Sequence, residues 1–332
     1  MTSAPLLIEL RTEELPPKSL LKLSTSFAQS VHQGLVAQHL APAQAAVQIF
    51  ATPRRLAMLI EDVAGVQPER RVERKGPSCK AGQAADGTAT PALQGFARSC
   101  GVTVDALELR RDDKGLEYYV HHSLHSGIPL GEVLPALLDQ ALRQLPVAKV
   151  MRWGSGDSEF VRPVHGLMVL HGDQLISLNL FGLSSSRQTL GHRFLGAGLL
   201  TLDHAASYAT LLEREGKVIA SFAERRQRIQ QALNALALPH HVLAGPELLD
   251  EVTALVEWPT VLEGRFDPAF LEIPQECLIL SMQQHQKYFP LGNTQNQLQP
   301  RFLLVSNLET ATPRAIIQGN ERVLRARLAD AR

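Results

Sequence analysis

With 332 residues, 45% of them hydrophobic, the chain has the apolar fraction of an ordinary globular protein and enough length for two or three domains around a sizeable core. Lys plus Arg number 33 and Asp plus Glu 33, so no net basic field draws in nucleic acid and any RNA contact must come from local patches. Cys79, Cys100 and Cys277 are odd in number and widely spaced, which disfavours a zinc site or a disulfide framework and fits a reducing cytosol. The start, Met1-Thr2-Ser3-Ala4-Pro5-Leu6, has no basic leader region, and no later run approaches a membrane span, so a soluble cytoplasmic protein without membrane contact is expected.

Leu6 to Leu10 predicts a short strand, and Pro16-Pro17 precede a stripe at Leu20, Leu23, Phe27, Val31 and Leu35 whose spacings of three and four predict an amphipathic helix. Val47 to Phe50 and Leu56 to Val63 predict strands around the turn Ala51-Thr52-Pro53-Arg54-Arg55. Residues 66–90 are rich in Gly, Ala, Ser, Thr and Pro and carry Arg70, Arg71, Arg74 and Lys75; a long flexible loop is expected there, of a length that is usually functional or disordered. Tyr118 to Leu124 suggests a strand, and Leu134, Leu138, Ala141, Leu142 and Leu145 the apolar face of a helix ending by Pro146. Val164 to Leu170 and Leu175 to Phe181 flank His171-Gly172-Asp173-Gln174, a hairpin turn.

Beyond about residue 200 the pattern turns mainly helical. Phe222 to Leu238, Pro246 to Val256 and a segment from Ile273-Pro274 to about Gln284 read as helices, Gly216 to Ala220 and Phe302 to Val305 as short strands, and a last helix starts near Pro313. On that helix Ile316, Ile317, Val323, Leu324 and Leu328 share one arc, with Arg314, Arg325 and Arg332 opposite and Arg327 inside the arc, where an unpaired guanidinium is costly and calls for a carboxylate or a further segment. The sequence stops without Gly or Pro, as a fragment of a longer chain does. The expected fold is α+β: a mixed or antiparallel sheet body partly covered by helices over 1–200, then a mainly helical region over 201–332 packed on it.

Few chemical motifs stand out. There is no phosphate-binding loop, since Gly216-Lys217 is followed by Val218, and no third glycine follows Gly154-Ser155-Gly156 or Gly196-Ala197-Gly198. On a strand, His121 and His125 would be roughly 13 Å apart, too far to share an ion. The dense stretch is 151–194, where Arg152, Trp153, Arg162, His165, His192 and Arg193 stand beside Gly and Pro, a mixture suited to gripping an anionic or planar partner. Arg54 and Arg55 either clamp phosphates or pair with Glu9, Glu13 or Glu14. Trp153 either stacks a base or, as a lone Trp more often does, packs in a core or interface. Gln283 to Phe289, with His285, Lys287 and Tyr288, either offers hydrogen-bonding groups to a nucleic acid or forms a polar helix end with Tyr288 and Phe289 anchoring the next strand. Glu257-Trp258-Pro259 reads as the structural start of a strand.

The blocks Ile8-Glu9-Leu10-Arg11-Thr12-Glu13-Glu14-Leu15-Pro16, Ala51-Thr52-Pro53-Arg54-Arg55-Leu56, Arg152-Trp153-Gly154, Phe160-Val161-Arg162-Pro163-Val164-His165, Gly191-His192-Arg193-Phe194, Glu257-Trp258-Pro259 and Gln283 to Phe289, in this order, closely resemble the beta subunit of bacterial glycyl-tRNA synthetase, and Asn320 to Leu328 extends the match. The resemblance implies a two-alpha, two-beta enzyme that joins glycine to its tRNA using ATP. The alpha subunit carries the ATP- and magnesium-using site, and the beta subunit supplies most of the tRNA-binding surface. No cofactor is then expected on this chain; its partners would be the alpha subunit, tRNA-Gly and C-terminal domains of a longer beta chain. The resemblance further implies a body like the editing-type domain of the phenylalanyl enzyme's beta chain. A non-catalytic scaffold is expected, with Arg54, Arg55, Arg70, Arg71, Arg74 and Lys75 as RNA contacts. Two alternatives stand beside it, an editing-like hydrolase around His165, His192 and Arg193 and a module that meets only protein.

Overall fold

A computed structural model describes residues 3–84, 87–113, 115–147, 149–154 and 156–330. Arg332 of the expected last-helix face lies outside these residues, as does Ser155 of the Gly154-Ser155-Gly156 stretch. The chain divides into two compact units, Met1–Gly65 with Gly131–Arg332, and Val66–Leu130. Among the described residues no helix is long and apolar enough to cross a membrane.

In the larger unit the strand Ser3–Thr12 lies at the centre of a five-stranded antiparallel sheet, between Val164–His171 and Arg55–Ala64, with Gln174–Leu175 and Val47–Thr52 at the edges. A central strand is covered on both faces, so Leu6 to Leu10 are all buried and show no alternation. The helix Pro17–Ala37 buries Leu20, Leu23, Phe27, Val31 and Leu35, the stripe its spacing predicts, with Pro17 in the first turn, where its missing N–H costs no hydrogen bond. On the face that carries Leu7, Leu59, Met168 and Leu170 lie Leu200, Leu202, Tyr208, Leu212 and Val218. The segment 199–220 therefore completes the core of the first sheet, and the boundary expected near 200 does not separate two cores. The hairpin at His171 to Gln174 is present, with Gly172 at φ 60°, but its second strand is only Gln174–Leu175.

The region after 220 contains more sheet than its sequence suggests. Strands His241–Val242, Phe289–Gly292, Leu298–Ser306 and Thr260–Arg265 form a second antiparallel sheet in that spatial order. One face packs Leu291 and Leu303 against Ile229, Leu233, Leu249 and Val252 of the helices Phe222–Ala237 and Pro246–Thr253. The other packs Phe302 and Leu304 against Leu278, Met282, Leu324 and Leu328 of the helices Gln275–Gln286 and Arg314–Asp330. Alternation along one strand thus feeds two cores. On the last helix only Leu324 and Leu328 are fully buried, while Val323 is exposed. The buried stripe is narrower than the predicted arc, and Arg327 stands in solvent without needing a buried carboxylate.

The smaller unit corrects the expected 66–90 loop. Arg70–Ser78 is the edge strand of a three-stranded antiparallel sheet, paired with Glu117–His125, which also pairs with Glu108–Arg111. Tyr118, Tyr119 and Val120 of the central strand are buried, as are Leu93 and Ala97 of the helix Pro91–Cys100. The edge strand itself buries nothing from Arg70 to Lys75, so it carries no hydrophobic pattern. Thr90 caps the helix by accepting from the Leu93 N–H, and Gly101 ends it at φ 73°.

A Cβ on Gly127 would lie 1.7 Å from the Gln67 carbonyl oxygen. Gly127→Ala is expected to cost roughly 1–3 kcal/mol because backbone must move, seen as a lower urea midpoint; an unchanged midpoint would contradict this close approach.

Candidate functional site

The hairpin turn at Thr52 to Arg55 delivers two guanidinium groups to different environments. Arg55 is 2% exposed. Its Nη1 lies 3.0 Å from Glu9 Oε2 and 3.3 Å from Thr189 Oγ1, its Nη2 donates to the Leu190 carbonyl at 2.7 Å, and its Nε donates to Thr52 Oγ1 at 3.3 Å. The strand register sets this up. Arg11 stands opposite Arg55, so Glu9, two residues earlier on the same face, is its diagonal neighbour. Glu9 also accepts from Thr189 Oγ1 and from the Tyr208 hydroxyl. Burial opposes the charge on Arg55, but Glu9, Tyr208 and Glu257 outweigh it and raise the guanidinium pKa. Burial and the adjacent Glu9 together push the Tyr208 phenol well up. Arg55 is thus a satisfied core group with no face left for RNA, which corrects its assignment as an RNA contact and bears out pairing with Glu9.

Arg54 pairs with neither Glu9 nor its neighbours. Its Nη2 lies 3.0 Å from Glu257 Oε2, and Thr52 Oγ1 donates to Glu257 Oε1 at 3.0 Å. Asn307 Oδ1 accepts from the backbone N–H groups of Glu257 and Trp258, so it fixes the carboxylate's own segment. Burial pushes the Glu257 carboxyl up, yet Arg55 and Arg54, with the Arg54 and Thr52 hydrogen bonds, hold it below the usual carboxylate range. Close by, Arg225 is 0% exposed and donates to the carbonyls of Ile219, Ser221, Thr253 and Ala51. Neither Glu257 nor Arg225 announced these roles in sequence; Glu257 sits in a quoted block, and Arg225 is one of many charges on an ordinary helix.

Above this network lie two adjacent hollows of about 400 and 490 Å3 that share Arg54, His192 and Arg193 as walls. They bring together Arg11, Arg54, Arg162, His165, His192, Arg193 and Phe194, which are spread over four of the quoted blocks. The loop 191–198 is closed by the Gly191 N–H on the Gly198 carbonyl and docked by the His192 N–H on Gly216 O at 2.6 Å. A Cβ on Gly191 would meet the Gly216 backbone at 2.7 Å, so glycine is what permits this approach. The loop buries His192, whose Nδ1 accepts from the N–H groups of Phe194 and Leu195 at 3.2 Å each. The proton therefore sits on Nε2, which has no partner among the described residues. His165 Nε2 lies 2.9 Å from Glu13 Oε1, and Arg162 donates to the carbonyls of Glu14 and Val161. Arg11 Nη2 donates to His165 O at 3.2 Å, while Nε and Nη1 are buried with no partner among the described residues. Burial lowers the Arg11 pKa; Glu9 opposes this, and Arg55 and Arg54 add to it.

The other quoted residues lie elsewhere. Arg152 pairs with Glu159 at 2.6 Å across a short hairpin, and the Trp153 ring centroid is 5.8 Å from that of Phe181, a packing role. His285 and Lys287 line a separate groove, where Lys287 Nζ is 3.0 Å from Glu251 Oε1. Tyr288 is buried, stacked on Phe302, and donates to Asn320 Oδ1 at 2.6 Å; burial pushes its phenol up to about 12. That is the anchoring role its sequence allowed. Arg70, Arg71, Arg74 and Lys75 belong to the smaller unit and stay exposed.

Residues 6–332 match the family model described as glycyl-tRNA synthetase beta subunit. The chain belongs to that family. Among its relatives, the glycine--tRNA ligase beta subunits of Neisseria meningitidis serogroup C and Neisseria gonorrhoeae are each 51% identical over 333 residues, covering 100% of this chain and 48% of theirs. That of Marinobacter nauticus is 44% identical over 334 residues, again covering 100% of this chain and 48% of its own length. The chain therefore spans about half the length of the curated relatives it matches. The blocks that carry the family resemblance supply Glu9, Thr52, Arg55 and Glu257 of the buried network and most of the walls of the hollows above it, while Thr189, Leu190 and Tyr208 of the network lie outside them.

Removing Arg55 strands Glu9. Arg55→Met is expected to cost about 3–5 kcal/mol in urea unfolding, and Glu9→Leu combined with Arg55→Met to recover part of it; a double variant as unstable as the sum of the singles would refute the coupling. Glu257 gives a pH signature. Its carboxyl is depressed in the folded state, so its contribution is complete above about pH 4.5 and is lost as pH falls through the folded value. Glu257→Gln should flatten the acid limb of a stability–pH curve, and a limb of unchanged steepness would count against the pairing.

Proposed function

We propose that this chain acts as the non-catalytic scaffold and tRNA-binding part of a glycine--tRNA ligase beta subunit, working in the cytoplasm. In this reading an alpha subunit uses ATP and magnesium to activate glycine, and the present chain docks that subunit, further domains of a longer beta chain, and tRNA-Gly. Likeness of its sheet body to the editing-type domain of the phenylalanyl enzyme belongs to the same reading as a matter of fold, with no hydrolytic step attached. Family membership over residues 6–332 supports the assignment to a charging enzyme.

The observation that carries RNA binding is the edge strand Arg70–Ser78. Arg70, Arg71, Arg74 and Lys75 fall within six consecutive exposed residues, and strand alternation puts Arg70 and Arg74 on one face and Arg71 and Lys75 on the other. Glu73, the one acid among them, is engaged by Arg110, so its charge is offset. Lys75 Nζ rests 3.9 Å from the centre of the Tyr118 ring and Arg74 Nη1 donates to Ser99 O at 3.1 Å, which holds both stems in place. Such an edge presents cations to a phosphate backbone without reading sequence. Arg55 leaves the earlier set because it is buried, and Arg54 because Glu257 holds it.

Changing Arg70, Arg71, Arg74 and Lys75 to Ala together should weaken filter binding of tRNA-Gly and lower the log–log salt slope by about 0.7–0.9 for each phosphate contact removed. Equal affinity and equal slope in parent and variant would end the RNA role of this strand.

A further inference from the structure

The hollows in the larger unit carry more guanidinium groups than carboxylates, and among the described residues no carboxylate forms an ion pair with Arg11, Arg162 or Arg193. Apart from Arg55, which Glu9 neutralises, four guanidinium groups line them, Arg11, Arg54, Arg162 and Arg193, against three carboxylates, Glu13, Glu14 and Glu257. Glu257 is spent on Arg54, and Glu13 is held at His165. Arg162 donates only to main-chain carbonyls, and Arg193 forms no ion pair among the described residues. Buried donors without partners are costly and rare in native folds. Three such donors among the described residues, Nε and Nη1 of Arg11 and Nε2 of His192, belong to side chains that wall the larger hollow. Like charges at Arg55 and Arg54 add to the burial that disfavours the Arg11 cation, and a bound anion would relieve that.

Next to this cationic hollow stands an aromatic ring in water. Phe194 is 73% exposed, more than any other large hydrophobic side chain described, and it walls the adjoining hollow. Its ring centroid is 6.2 Å from that of His192, and the Arg193 guanidinium lies 5.9 Å over it. A ring so exposed beside unpaired cations offers a stacking face to a flat group attached to an anion. One nucleotide unit has both parts within that reach.

We propose that the paired hollows seat an unpaired nucleotide of an RNA strand, its phosphate in the cavity walled by Arg11, His192 and Arg193 and its base stacked on Phe194. This rests on the reading of the chain as RNA-binding but uses a site separate from the Arg70–Ser78 strand. A strand rather than a free nucleotide is assigned because the two hollows adjoin and Arg162 faces the second, leaving a cation for a neighbouring phosphate.

The test uses the full chain, a fluorescently labelled short oligoadenylate RNA, and adenosine monophosphate and inorganic phosphate as competitors. Phe194→Ala should weaken oligoadenylate binding by about tenfold, within the range seen on removing base–aromatic stacks, without changing competition by inorganic phosphate. Arg193→Ala and Arg11→Gln should weaken both. Phe194 and Arg193 are exposed, so those variants remain decisive should Arg11→Gln fail to fold. Adding Phe194→Ala to the fourfold Arg70/Arg71/Arg74/Lys75 alanine variant should lower affinity by the same factor again, as separate sites require. If Phe194→Ala and Arg193→Ala bind oligoadenylate like the parent while the fourfold variant loses tRNA, the inference falls and the RNA-binding reading stands; if the parent binds neither RNA, both fall. Adenosine monophosphate binding as tightly as the oligonucleotide would overturn the strand. Loss of alpha-subunit binding by Phe194→Ala with unchanged oligoadenylate affinity would make the ring a protein contact and overturn the proposal too.

Discussion

The larger unit hangs on one buried charge. Arg55 is enclosed among Glu9, Thr52, Thr189, Tyr208 and the Leu190 carbonyl, with Glu257 4.0 Å away, so a single guanidinium ties the central strand, the hairpin turn, the 189–190 segment and the segment at 257 to one point. A buried ion pair is weak evidence of net stability, because desolvation consumes most of its attraction. Its effect here is on geometry. With five donors fixed in a plane, Arg55 tolerates only one arrangement of those partners, and the walls of the hollows above it inherit that arrangement.

The same pair explains why Arg11 differs from its neighbour. The two arginines face each other across adjacent strands, where like charges ordinarily repel. Glu9 and Glu257 compensate Arg55, and among the described residues Arg11 has a backbone carbonyl for one nitrogen and no hydrogen-bond partner for the other two. Charge that the fold has neutralised and charge that it has left open thus lie side by side, and only the second kind is useful to a ligand.

How much of this could be read from the chain varies with how locally each feature is encoded. The helix Pro17–Ala37 was legible because its own residues repeat at three and four and bury the side that repeats. The strand Arg70–Ser78 was not, because an edge strand whose side chains stay in water carries no pattern, and its existence is decided by Tyr118 to Val120 some fifty residues later. Thr260–Arg265 and Phe289–Gly292 were signalled only at their starts, by Glu257-Trp258-Pro259 and by Tyr288-Phe289, because each is short and interrupted by Gly264 or Pro290, while His241–Val242 is too short to show any alternation. At the site the reactive residue types were evident, but their pairing was not. Arg54 reaches a carboxylate 203 positions away, and nothing local distinguishes Arg55, which is sealed in, from Arg193, which is open.

Val66 and Pro129 are bridged to each other at the margins of the smaller unit, and the Gln67 N–H meets the Ile128 carbonyl. The polypeptide therefore leaves and rejoins the larger unit through two segments held by a single bridge, the topology of a cassette set into a host. A cassette of this kind can be excised and its ends rejoined by a short turn with no strand of the host sheet lost. It can also lengthen or change its surface independently of the Arg55 centre, which gives a two-part protein a way to alter what it touches without disturbing what holds it together.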